Sequence, residues 1–248
     1  MGDGTRRCRL VALVGAGVLA GCGSGAAGGS PAASPVPSST ASSGTSGTVP
    51  SGEARTRAEA ATKKAILPSD AFEKIGLDVE QKPQTRRWDW FETCRPALPS
   101  ESRQVLGTSG RWSKGGAEVS QTVVAYPDGV AESIVGEVRS TVGSCTEYSA
   151  SGKHYTDVAA VELKKVNPVD DLHAWCTVRE DGRHFCHSVF AAQDLVSSLW
   201  TGAGRRDEAL EGLQVATQLA ALRIDVQIGG GNGPTPSAGR RVSPPAPQ

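Results

Sequence analysis

The sequence predicts an α+β domain: an antiparallel sheet, two main helices and two disulfides. Three observations carry that prediction. Residues 172–179 and 184–190 are apolar-rich runs on either side of an Asp-Gly turn, the pattern of a β-hairpin. Val130, Ile134, Val138 and Val142 recur every four positions, and Ala209, Leu210, Leu213, Ala216, Thr217 and Ala220 form a second such stripe, so two segments read as amphipathic helices. Cys94, Cys145, Cys176 and Cys186 fall within the same stretch, an even set that suits two disulfides.

Taken in order, Leu67-Pro68-Ser69-Asp70 opens a short helix that Gly76 ends. Arg87-Trp88-Asp89-Trp90-Phe91 is a dense aromatic patch leading into Cys94. Glu118 to Tyr126 begins with the apolar–polar alternation of a half-buried strand. Pro127-Asp128-Gly129 turns the chain, and Asp128 is placed to cap the helix over Val130–Val142. Val158 to Val166 reads as a second strand, the hairpin follows, and Val196 to Trp200 reads as a further strand. Arg205 to Leu222 is the last helix.

The hairpin constrains the disulfides. A two-residue Asp181-Gly182 loop sets Glu180 opposite Arg183 and therefore Cys186 opposite Thr177, with Cys176 on the other sheet face. On that register Cys176 and Cys186 do not pair; one reaches Cys94 and the other Cys145. A three-residue loop would reverse the parity.

The ends of the chain differ in composition from its middle. Arg6, Arg7 and Arg9 precede an uncharged, mostly apolar run, Leu10–Leu19, too short for the roughly 20 residues that cross a bilayer and matching a signal-peptide h-region. Its end, Leu19-Ala20-Gly21-Cys22, resembles the lipobox of bacterial lipoprotein precursors. That resemblance implies lipidation of Cys22, cleavage just before it, and attachment to the outer face of the cell membrane. From Gly23 to Gly52 the chain is almost wholly Gly, Ala, Ser, Thr and Pro, a composition that cannot bury enough apolar surface to offset its ordering entropy. The expected organisation is a signal peptide over 1–21, a lipidated cysteine and disordered tether over 22–60, a folded extracytoplasmic domain over 61–226, and a Gly/Pro-rich tail over 227–248. The formal net charge is zero and the domain carries no dense basic run, which argues against a nucleic-acid partner.

The order of features also resembles a family, the PknH-like extracellular sensor domains of actinobacterial Ser/Thr kinases and related cell-wall lipoproteins. The likeness rests on Ile66-Leu67-Pro68-Ser69, the Tyr126-Pro127 step into a helix ending before Cys145, a Trp-containing strand followed by one carrying Cys186, and a final Ala/Leu-rich helix. It implies a single α+β domain, a cleft for an unidentified ligand, and a Cys145–Cys186 bond, which would leave Cys94–Cys176. The position of Cys176 in the hairpin departs from the family pattern.

Candidate chemistry is sparse. His173, Cys176, His184, Cys186 and His187 cluster on one hairpin, but strand alternation splits them between two faces, whereas zinc needs ligands converging on one point. No metal or other cofactor is expected. No Gly-x-Ser-x-Gly elbow occurs, and Asp170-Asp171 reads as loop chemistry, so no catalytic residues are assigned. Trp88, Trp90, Trp112, Trp175 and Trp200 are the candidates for a ligand cleft, since tryptophan supplies contact area and one donor. The leading expectation is a membrane-anchored ligand-binding or sensor-like module, taking a small molecule or a cell-wall ligand. A structural lipoprotein that binds an envelope protein or wall glycan, and an envelope hydrolase, are the alternatives.

Overall fold

The computed structural model describes residues 50–94, 98–126, 129–169 and 171–228. Cys22, the signal segment and most of the tether lie outside these residues, as do Asp128, Asp170 and the tail from 229.

Ser51 starts the first helix, α1 (Gly52–Ala65), by accepting the Ala54 N–H at 3.2 Å. Glu53 in its first turn and Lys63 and Lys64 in its last suit the helix dipole. Glu59 and Lys63 add an i,i+4 pair at 2.6 Å. Ala58, Thr62 and Ala65 are buried, so α1 is part of the folded body. Helix α1 thus runs through Ala61, with its packed face starting at Ala58. The short helix expected after Leu67 is a turn and a 3-10 segment, Glu73–Ile75, closed by Gly76 at φ 82°.

Eight strands follow: β1 (Asp78–Arg86), β2 (Leu106–Lys114), β3 (Ala117–Ala125), β4 (Tyr148–Ala150), β5 (Lys153–Ala160), β6 (Leu172–Arg179), β7 (His184–Ala192) and β8 (Leu195–Ala203). They form one antiparallel sheet in the order β1-β2-β3-β8-β7-β6-β5-β4. Helices cover both faces. On one, α1 and α3 (Arg206–Ile228) pack over Trp112, Val123, Cys186, Phe190 and Leu199 through Ala209, Leu213, Ala216, Ala220 and Ile224. On the other, α2 (Val130–Gly143) lays Val130, Ile134, Val138 and Val142 against Val124, Val189 and Val196. The expected apolar stripes of α2 and α3 are thus the buried ones. Each large side chain removed from water contributes about 1.5–3 kcal/mol. No helix among the described residues is long and apolar enough to cross a membrane.

Two expectations need correction. The strand expected at Val158–Val166 lies earlier, at β5, because Ser151 and Gly152, both at positive φ, turn β4 directly into it. Beyond Ala160 the chain leaves the sheet, and the Lys164 N–H is taken by Gln214 Oε1 on α3 at 2.7 Å.

The disulfides are Cys94–Cys145 and Cys176–Cys186, not Cys94–Cys176 and Cys145–Cys186. The reason is the hairpin loop. Arg179 N–H bonds Arg183 O at 2.8 Å, so the loop is the three residues Glu180-Asp181-Gly182, with Gly182 at φ 83° and Asp181 accepting the Arg183 N–H. The parity reverses and Cys176 stands directly opposite Cys186, Cα atoms 4.0 Å apart.

Candidate functional site

Covering one sheet face completely takes more than one helix, and α2 covers only part of its face. After β1, residues 87–94 cross this face as a strap. Trp88 Nε1 donates to Gly107 O on β2 at 3.2 Å, Trp90 Nε1 donates to the Tyr126 hydroxyl beyond β3 at 2.9 Å, and Phe91 packs edge-on against Trp175 of β6. Glu92 accepts from Ser151 Oγ in the β4–β5 turn at 3.0 Å, and Cys94 is bonded to Cys145 after α2. Gln104 secures the strap by donating from Nε2 to Trp88 O at 2.7 Å.

The rest of the face is an open cleft of about 470 Å³. Because the strands are in register, its floor is made of cross-strand rows. One row is Arg111, Ser120, Trp200, His187 and Trp175, on β2, β3, β8, β7 and β6. Four inter-strand steps make that row about 19 Å long. A neighbouring row places Ser109, Thr122 and Ser198 side by side, with Thr122 Oγ1 donating to Ser109 Oγ at 2.9 Å. A third holds Glu118 and Phe185 on either side of Gly202. A Cβ on Gly202 would lie 2.6 Å from the Phe185 ring, so glycine is what lets that ring lie across β8. Tyr148, Tyr155, Phe185 and Trp200 then form a continuous aromatic wall with centroids 4.8, 5.8 and 5.7 Å apart.

The cations lining the cleft, Arg111, Arg179 and Lys153, each face a carboxylate. Arg111 meets Glu80 at 3.2 Å and also Glu118, which in turn pairs with Arg183. Burial raises the Glu118 pKa, but hydrogen bonds from Arg183 and Arg111 outweigh it and hold the carboxyl below its ordinary range. Arg179 forks onto Asp181 at 3.0 and 2.5 Å. Burial pushes the Tyr148 hydroxyl up to about 12, so it remains a neutral phenol.

His187 stacks flat on Trp175 at 5.0 Å, and His173 also stacks on that indole at 5.6 Å. The Nε2 atoms of both imidazoles and the Nε1 of Trp175 are buried with no hydrogen-bond partner among the described residues. Burial pulls the His187 pKa from 6.5 down to about 3. The unfolded chain therefore takes up a proton below pH 6.5 that the folded chain refuses, and stability falls with pH until about 3. The slope is at most about 1.4 kcal/mol per pH unit. His173, lowered by burial and then by Arg139, adds to it. Melts at pH 7 and pH 5 should show a loss of about 2 kcal/mol that His187→Gln largely removes; an unchanged loss in the variant would place its origin elsewhere.

Of the five tryptophans, Trp88, Trp90, Trp175 and Trp200 border this cleft. Trp112 does not. It lies on the opposite face, fully buried, edge-on to Phe72 and donating to Ser69 O at 2.9 Å. The sequence reading missed Arg111, His187, Phe185 and the hydroxyl row. Strand parity was the signal that could have found His187, two residues from Phe185 and opposite Trp175. Ser149 and His154 approach to 3.5 Å, but both are exposed, and pleating sends them away from Tyr148 and Tyr155, the cleft side of that hairpin.

No protein-family model matches the sequence, and no curated protein matches it. Among solved structures, the chain is similar to the extracellular domain of PknH from Mycobacterium tuberculosis, with 15% identity and a TM-score of 0.48 over 69% of this chain and 96% of that one. It also matches an uncharacterised Mycobacterium smegmatis protein, an Rv0999 ortholog, with 12% identity and a TM-score of 0.35 over 66% of this chain and 94% of that one.

Proposed function

We propose that this chain is an extracytoplasmic lipoprotein, held on the outer face of the cell membrane by a lipid on Cys22, whose folded domain binds a ligand in the sheet cleft and performs no reaction of its own. The observation that carries the binding part is the cleft: a built floor of aromatic rings and hydroxyls, walled by a disulfide-fastened strap. Concave, largely preformed sites with a few convergent polar groups are where proteins hold small ligands. The non-catalytic part is supported by His187, whose Nε2 meets no hydrogen-bonding side chain among the described residues, where general-base chemistry needs a nucleophile in reach. The anchor rests on the basic start, the short apolar run and Leu19-Ala20-Gly21-Cys22. A tether of Gly, Ser, Ala and Pro suits a domain that must stand clear of the membrane.

The test uses the full chain expressed in an envelope-bearing bacterium of its own kind. Wild type should partition with membranes and take up a palmitate label, while Cys22→Ala should appear in the soluble fraction without label. Native mass spectrometry of the released Cys22→Ala chain should show a retained small molecule. A label that persists in Cys22→Ala ends the anchor, and a clean mass from native envelope counts against the binding reading.

A second reading, docking on an envelope protein, draws on α3. Val215, Leu219, Leu222 and Val226 are exposed on it at 4-3-4 spacing, the seam that a partner helix fits.

A further inference from the structure

The chemistry of the cleft narrows what it can hold. Its cations are spent: Arg111 faces Glu80 and Glu118, Arg179 faces Asp181, and Lys153 lies 3.8 Å from Glu180. An anionic ligand would have to displace these carboxylates from their guanidinium and ammonium partners before gaining anything from them. A wholly apolar ligand meets the opposite obstacle. Ser109, Thr122, Ser120 and Ser198 sit side by side on β2, β3 and β8, and covering their oxygens with hydrocarbon costs about 1–3 kcal/mol for each group left without a partner.

A ligand with both apolar faces and hydroxyl edges meets neither obstacle. Trp200 sits directly opposite Ser120 with the Arg111 guanidinium 5.0 Å from its ring centroid, and Trp88, bonded to Gly107 O, lines the cleft from the strap. The Thr122 and Ser120 protons go to Ser109 Oγ and Gly110 O, leaving hydroxyl oxygens of both free to accept. At the far end of the row, buried Trp175 Nε1 and His187 Nε2 have no protein partner, although Trp175 is only 1% exposed. Buried polar groups are normally paired, and these two are the polar atoms of the row left to a ligand's hydroxyls.

Resting on the binding reading above, we infer that the cleft takes a neutral, polyhydroxylated ligand, an oligosaccharide lying across the strands. Its sugar faces stack on Trp200 and Trp88, and its hydroxyls donate to the Ser120–Thr122 patch. The row spans about 19 Å, room for an extended chain of several rings rather than one monosaccharide.

Tryptophan fluorescence of the full chain carrying Cys22→Ala tests this with three kinds of probe. Neutral oligosaccharides are the β-1,4-linked N-acetylglucosamine tetramer, maltoheptaose and an arabinogalactan fragment. Tetragalacturonate is the anionic comparator, and a long-chain monoacylglycerol the apolar one. At least one neutral oligosaccharide should give a saturable change. Trp200→Ala should weaken that binding at least tenfold, Trp200→Phe less, and Thr122→Val should weaken it severalfold without shifting the melting temperature. Saturable binding of tetragalacturonate or the monoacylglycerol with none of any neutral sugar overturns the ligand class and leaves the binding reading standing. Silence from every probe, together with a clean native mass, overturns both.

Discussion

Replacing Cys94 and Cys145 together by serine is expected to cost about 4 kcal/mol of stability, against about 3 kcal/mol for Cys176 and Cys186. The bonds close loops of 51 and 10 residues, and the chain entropy withheld from the unfolded state grows with the logarithm of loop length. For a domain of this size the first loss lowers the melting temperature by about 10 °C. The two pairs should also differ in binding. Cys94–Cys145 fastens the end of the strap that walls the cleft, so its removal should weaken ligand binding in the fraction that stays folded. Cys176–Cys186 is buried on the opposite face under α3, and its removal should leave binding unchanged. Non-reducing peptide maps of wild type fix the connectivity: a Cys94–Cys176 or Cys145–Cys186 linked peptide would sink the whole scheme.

The cysteine pairing shows where sequence reasoning ran out. Asp181-Gly182 marked the turn correctly, but Asp-Gly serves two loop lengths. In the structure Asp181 caps Arg183 N–H and Gly182 takes the left-handed position of a three-residue loop. One residue of loop length inverts every side chain on β7 relative to β6, so a local ambiguity became a global error in disulfide topology. The helices were easier to read. A stripe such as Val130–Ile134–Val138–Val142 needs no partner to be recognised, because its period is internal to the segment.

The elements missed were those whose pattern depends on neighbours. β1 alternates half-buried and exposed residues at the sheet edge, and contains Pro83; Val79 alone is too little apolar signal to announce it. β2 carries Gly107 and Ser109 on the face that is the cleft floor, which needs hydroxyls rather than branched aliphatics, and Gly110 on the other face, where a Cβ would lie 3.2 Å from the Trp112 ring. α1 had a legible start in Ser51 and Glu53, but the Gly/Ser-rich run before it hid the cap. The candidate site was half legible for the same reason. Tryptophans stand out in composition, whereas Ser120, Thr122, Ser198 and His187 become a site only once five strands are placed in register.

Trp112 and Trp200 offer the sharpest contrast between core and site. Trp112→Ala should cost about 3–5 kcal/mol, because a fully buried indole leaves a cavity beside Phe72 and strips Ser69 O of its donor. Trp200, half-buried on the cleft floor, has the Phe185 ring and the Arg111 guanidinium as its ring contacts, and should cost about 1–2 kcal/mol when truncated. Binding should reverse the ranking. The folded fraction of Trp112→Ala keeps the cleft, since its side chain lies on the opposite face of β2 from Arg111 and Ser109. Trp200→Ala keeps the fold and loses the stacking surface. Chemical denaturation and ligand titration on the same two variants separate the roles. If Trp200→Ala unfolds the domain as readily as Trp112→Ala, the cleft floor is core rather than a recognition surface, and the binding reading loses its main support.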